Sequence, residues 1–159
     1  MTDRLWAPWR YNYVSNSDRE TGGCIFCAEG SDLWLFSTEH ARVYLNKFPY
    51  NNGHLLIAPK RHISSLGRLS EDEMSHLWKI VVICQDAVSE LMNPDGFNVG
   101  MNIGRVAGAG IDDHIHVHIV PRWNGDTNFM PVLADIKVIS QSLDALKELL
   151  CKKLPCENK

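Results

Sequence analysis

Three histidines stand at alternate positions, His114, His116 and His118, separated by Ile115 and Val117 and followed by Ile119, Val120 and Pro121. Successive side chains of a β-strand point to opposite faces, so this spacing puts three imidazoles on one surface and the aliphatic residues on the other. A neutral imidazole near its pKa is a competent nucleophile and later a good leaving group, which suits a two-step displacement. Such a row also offers nitrogen ligands to zinc. The plainest alternative is a polar, solvent-facing strand face, yet three hydratable rings in alternation have no packing advantage over aliphatic residues.

A second chemical feature is Cys24-Ile-Phe-Cys27, which has the spacing of half a tetrahedral zinc site and also that of a redox pair. A redox pair would sit between a strand and a helix in thioredoxin order, which the flanking sequence does not offer, so zinc is the better reading. Cys84 falls within a helical pattern and reads as core, while Cys151 and Cys156 fall near the end of the chain. A disulfide framework is not expected.

The elements that must position these residues follow from periodicity and turn chemistry. Residues 41–48 and 53–58 are rich in Val, Tyr, Leu and Ile and flank Pro49-Tyr-Asn-Asn-Gly53, which predicts paired strands around a turn. Ser70 and Glu73 read as a capping box, after which Met74, Leu77, Trp78, Val81, Ala87, Val88 and Leu91 keep helical spacing until Asn93-Pro-Asp-Gly96. Residues 97–103 and 114–120 alternate as strands around a glycine-rich loop at 104–110, a hairpin with a long connection. Ile139, Leu143, Leu146 and Leu150 predict an amphipathic C-terminal helix, and 152–159 reads as a flexible tail. The first 23 residues, with Trp6, Pro8, Trp9, Tyr11 and Tyr13, read as an extended aromatic arm. The fold class is α+β: an antiparallel sheet with one main helix and a C-terminal helix, in a single domain over residues 1–159.

A chain of 159 residues supports one well-filled core. Its 16 basic and 19 acidic side chains leave a net charge of -3, too little field to grip a nucleic-acid backbone, so no nucleic acid is expected and any phosphate must be held locally. The apolar runs are too short for a membrane span, and the amino terminus lacks a basic stretch before an apolar core. A cytoplasmic protein without membrane contact is the expectation.

The run His114-Ile-His-Val-His-Ile-Val-Pro121 resembles the signature of the histidine triad family, and Gly53-His54-Leu-Leu-Ile-Ala-Pro59-Lys-Arg-His62 is similar to that family's earlier segment, which supplies a fourth histidine. Both motifs occur in the family's order with a helix between them, and the resemblance covers nearly the whole chain. It implies the family's sheet-and-helix fold and homodimer. It further implies that His116 attacks the α-phosphorus of a nucleotide to give a nucleotidyl-imidazole, with His118 and His54 orienting rings and bonding phosphate oxygens. The same resemblance matches Asn46 to a ribose-binding position and Asn102 to a phosphate-contacting one. Glycines 104, 108 and 110 would let backbone N–H groups approach phosphate, or make a merely flexible loop. In zinc-bearing bacterial members the remaining metal ligands correspond to His62 and His114, which with Cys24 and Cys27 would close a structural Cys2His2 zinc site. No organic cofactor is expected.

Leu5-Trp-Ala-Pro-Trp-Arg10, together with Pro121-Arg-Trp-Asn-Gly-Asp-Thr-Asn-Phe-Met130, looks like the family's bacterial branch of diadenosine tetraphosphate hydrolases or phosphorylases. That implies an adenine dinucleotide or mononucleotide as ligand and water or phosphate as acceptor. Trp123 would pack either on a base or on the core. One departure stands out: many members carry a polar group shortly before the triad, where this chain has Gly110 and Ile111. The competing functions are hydrolysis of nucleoside phosphoramidates, metal-dependent hydrolysis at an open zinc site, and non-catalytic nucleotide binding by a zinc-stabilised domain.

Overall fold

The computed structural model describes residues 23–28, 31–127 and 139–156. The expected aromatic arm lies outside these residues except for Gly23, as do residues 128–138 and the last three.

Five short strands build one antiparallel sheet: β1 (Trp34–Ser37), β2 (Ala41–Leu45), β3 (Leu55–Pro59), β4 (Gly96–Gly100) and β5 (Val117–Arg122), in the order β1-β2-β3-β5-β4. β1 has no counterpart in the sequence reading, because four residues without alternation give no periodic signal. The last strand also starts later than the expected residue 114. Ahead of Val117 the chain finds partners outside the ladder: Ile115 N–H bonds the Ile63 carbonyl at 2.8 Å, and the His114 carbonyl is taken by a side chain.

Helix α1 (Glu71–Met92) begins where the capping box was read. Ser70 Oγ accepts the Glu73 N–H at 3.1 Å, and the Glu73 carboxylate accepts the Ser70 N–H at 2.8 Å, satisfying two donors that a helix start otherwise leaves orphaned. The helix ends at Asn93, whose φ of 45° is left-handed. Its buried stripe, Leu77, Ile80, Val81, Cys84, Ala87 and Val88, packs on Val43, Leu45, Leu55, Ile57, Val117 and Ile119 of the sheet. At roughly 1.5–3 kcal/mol for each large aliphatic side chain, this layer is the main source of stability. Trp78, expected in that stripe, is 44% exposed, since it lies about 100° round the helix from Leu77.

Helix α2 (Leu143–Leu150) is capped by Ser142 and buries Leu146 and Leu150 in the same core. Ile139 precedes it. The residues that follow depart from the expected flexible tail. Leu154 is buried in the core, and Cys151 and Cys156 are joined by a disulfide, so residues 152–156 are fastened at both ends.

The opposite face of the sheet carries His118. In the register between β3 and β5, Leu55 faces Ile119 and Leu56 faces His118, so His118 shares its face with Leu56 and Tyr44, away from α1. Phe26, from the cysteine segment, is fully buried on this face against Tyr44, Leu56 and Ala58.

Candidate active site and metal centre

The turn between β2 and β3 delivers His54, and β5 delivers His118; their rings meet with His54 Nε2 and His118 Nδ1 2.9 Å apart. Backbone contacts decide which nitrogen carries each proton. Tyr50 N–H donates to His54 Nδ1 at 3.0 Å, so that nitrogen holds a lone pair and the proton is on Nε2. His54 Nε2–H then donates to His118 Nδ1, which leaves the His118 proton on Nε2. That Nε2–H is buried and has no hydrogen-bond partner among the described residues.

Burial, reinforced by His118 and His116, holds His54 down at about 3, and burial with His116 beside it holds His118 at about 4. Both rings are therefore neutral near pH 7, with one N–H each, as this chain of bonds requires. His116, its ring centroid 4.8 Å from that of His118, is also shifted down by burial, against the opposing effect of its bond to the His114 carbonyl. That bond, from Nδ1 at 3.0 Å, fixes the proton on Nδ1 and leaves Nε2 as the free lone pair. The His116 Nε2 lone pair and the His118 Nε2–H thus belong to neighbouring rings.

Asn46 Nδ2 lies 3.2 Å from His54 Nδ1 and 3.4 Å from Nε2, while its Oδ1 accepts the Phe48 N–H at 2.9 Å. Asn102 Nδ2 bonds the Gly108 carbonyl at 3.3 Å and lies 3.5 Å from the Tyr50 hydroxyl, joining the glycine loop to the histidine pair. Gly108 has a φ of 92°, which suits glycine, as it closes the short 3-10 turn Arg105–Ala107. Gly110 is exposed in the same loop, next to Ile111, which packs beside Phe26. Trp123 stands apart: its indole N–H bonds the carbonyls of Met92 and Asn93 at 3.3 and 3.2 Å, at the end of α1. Five residues of strand separate it from His118, about 16 Å.

The four residues expected to hold zinc converge. The ligand atoms of Cys24, Cys27, His62 and His114 all lie within 4.8 Å of one another. His114 Nδ1 is 3.2 Å from Cys24 Sγ and 3.6 Å from Cys27 Sγ, and His62 Nδ1 is 3.3 Å from Cys27 Sγ. Zinc with ordinary bond lengths needs tetrahedral edges of about 3.4–3.8 Å, so the residues fit the ion. Their outer contacts fit as well. His114 Nε2–H donates to the Pro59 carbonyl at 2.8 Å, which turns Nδ1 toward the thiols, and His62 Nε2 is 3.6 Å from the Asp113 carboxylate. Burial pushes the Cys24 thiol up to about 11, a state that a bound cation would reverse.

Two residues of this site show only a local role in the sequence. Tyr50 reads only as part of a turn, yet its ring stacks on His118 at 5.6 Å and 12° and lies 4.7 Å from His54. Phe26 reads only as a spacer in the cysteine motif, yet it packs 5.3 Å from the His114 ring and 4.8 Å from the His116 ring. An aromatic residue inside a turn of polar residues, and another between two metal-ligand cysteines, are the available signals.

Residues 28–125 match the HIT domain family. The chain belongs to the histidine triad (HIT) family. Among its HIT relatives, an AP-4-A phosphorylase of Mycobacterium tuberculosis is 35% identical over 159 residues, covering 92% of this chain and 82% of the relative. An adenosine 5'-monophosphoramidase of Schizosaccharomyces pombe is 27% identical over 135 residues, 82% of this chain and 98% of that one. The solved structure of a zinc-bound histidine triad family protein from Mycobacterium smegmatis superposes with a TM-score of 0.66 at 25% identity, covering 82% of this chain and 91% of that one. The five-stranded antiparallel sheet with two helices is the HIT fold.

Proposed function

We propose that this HIT protein cleaves dinucleoside polyphosphates at an α-phosphate, passing the nucleotidyl group first to His116 and then to water or inorganic phosphate. The observation that carries the proposal is the free Nε2 of His116 beside the unsatisfied Nε2–H of His118. In the first step the His116 Nε2 lone pair bonds the α-phosphorus. The bond from phosphorus to the bridging oxygen breaks, and its electron pair leaves with the polyphosphate. His118 Nε2–H donates to a phosphoryl oxygen, where a preorganised donor away from water is most effective. In the second step the acceptor oxygen bonds phosphorus and loses its proton to solvent. The P–N bond then breaks and its pair returns to His116 Nε2.

In this reading Asn46 would take the ribose, and Asn102 with glycines 104, 108 and 110 would take phosphate. Trp123, with its indole N–H bonded to carbonyls at the end of α1, would pack on the protein core. Cys24, Cys27, His62 and His114 would hold zinc in a closed set, with four bonds tying the cysteine segment to the residues before β5 and no open position for substrate. Similarity to the mycobacterial AP-4-A phosphorylase supports the substrate class. Strand β4 ends the sheet with three exposed residues in succession, which supports the expected homodimer.

The test is product analysis after incubation with diadenosine tetraphosphate, in plain buffer and with added phosphate, alongside adenosine 5'-phosphoramidate. ATP with AMP in buffer identifies a hydrolase, and ADP with ATP only when phosphate is present identifies a phosphorylase. Turnover of the phosphoramidate alone would replace the dinucleotide reading with that of the yeast relative.

A further inference from the structure

We infer that Asn51, held by Asp126 and Arg122, is a positioning residue that fixes which nitrogen of His118 carries its proton. The inference rests on the role proposed above for the His118 Nε2–H. The hydrogen bond between His54 and His118 does not choose a direction by itself. With His54 protonated on Nδ1 instead, His118 Nδ1–H would donate to His54 Nε2, the bond would survive, and His118 would turn a lone pair toward the phosphate. The choice is made at His54 Nδ1. Asn46 Nδ2, at 3.2 and 3.4 Å from the two ring nitrogens, discriminates poorly between them. The Tyr50 backbone N–H, aimed at Nδ1 from 3.0 Å, is the group that decides.

What holds Tyr50 N–H in place is the next residue. Asn51 is buried, and its Nδ2 donates to the Pro121 carbonyl at 3.1 Å and to Asp126 Oδ2 at 2.7 Å. Its Oδ1 accepts the Asn52 N–H at 3.1 Å, and its carbonyl accepts the His54 N–H at 3.3 Å. The Asp126 carboxylate is itself fixed by Arg122 Nε at 2.6 Å and Nη2 at 2.9 Å, by Trp123 N–H at 3.2 Å and by the Thr127 hydroxyl at 3.1 Å. The turn therefore hangs from the far end of β5, the strand that carries His118. Gly53 removes the remaining slack. Its φ is +80°, and a Cβ there would come within 2.9 Å of Pro121 Cγ, so the turn lies flush against the same proline.

The experiment is nitrogen-15 NMR of the histidine rings in the full chain, with steady-state kinetics on diadenosine tetraphosphate. In the wild type, His54 and His118 carry their protons on Nε2. Asn51→Ala should populate the Nδ1–H form of His54 and lower kcat about tenfold with little change in KM. Asn51→Asp, which sets an acceptor against both the Pro121 carbonyl and the Asp126 carboxylate, should shift both readouts at least as far as Asn51→Ala. Asp126→Ala removes the same anchor and serves if Asn51→Ala does not fold. Folded Asn51→Ala or Asp126→Ala protein with wild-type ring signals would overturn the inference. A shifted His54 signal in a protein whose wild type leaves the dinucleotide intact would instead remove the proposed function and keep the positioning role.

Discussion

His114 and His116 lie two residues apart, are both buried, and are both held below the ordinary histidine pKa chiefly by burial, yet they face opposite chemistry. His114 gives its Nε2–H to the Pro59 carbonyl and turns Nδ1 to the thiols; His116 gives its Nδ1–H to the His114 carbonyl and keeps its lone pair on Nε2. The residue type is the same and the environment similar. Which nitrogen the backbone occupies separates the proposed metal ligand from the proposed nucleophile. Phe26 packs against both rings, so the two regions share a wall.

The sharpest way to break this division is His116→Ala. Turnover should fall by at least about 10⁴-fold, while the zinc proposed for the cysteine–histidine set, measured by elemental analysis, should stay at the wild-type level. Loss of zinc together with turnover would mean that the two regions are one. Removing the metal, by chelation or by Cys27→Ser, tests the other side. Stability in urea should drop by several kcal/mol, with activity declining in step with the folded fraction. A folded, metal-free protein that has lost its activity would make the metal centre part of the chemistry.

A smaller effect separates the neutral relay from the metal centre by pH. His54 and His118 bind protons far less readily folded than unfolded, so the stability they contribute is complete above about pH 6.5 and is lost as pH falls toward their folded values of about 3 and about 4. Each ring should remove about 2 kcal/mol between about pH 7.5 and about pH 5. Urea denaturation at the two pH values measures this, and His54→Gln should reduce the difference by about half. Equal stability at both values would mean that the rings are not held neutral.

Much of this was legible in the sequence where a residue's own chemistry governs its role. Ser70 and Glu73 mark the helix start because their side chains bond the local backbone, and the Cys24, Cys27, His62 and His114 set converges as the family resemblance implied. Periodicity failed where partners are remote. Alternation at 114–120 carries no information about the Ile63 carbonyl that draws Ile115 out of the ladder. Asn51 and Tyr50 read as turn formers, since their second role depends on Asp126 and His118, 75 and 68 positions later in the chain. The closing cysteines read as a loose tail because no pattern foretells Leu154 reaching the core.

The strand order also governs how the molecule is born. β1, β2, β3 and α1 can assemble as the ribosome delivers them, but β4 emerges before its neighbour in the sheet, and β5 must enter between β3 and β4. Until β5 and the residues just before it have appeared, β3 and β4 each present an open edge, and both the Cys24, Cys27 and His62 set and His54 lack their partners at His114 and His118. Both sites are thus completed by one late segment, and unpaired edges of this kind are where a nascent chain is most exposed to wrong pairing.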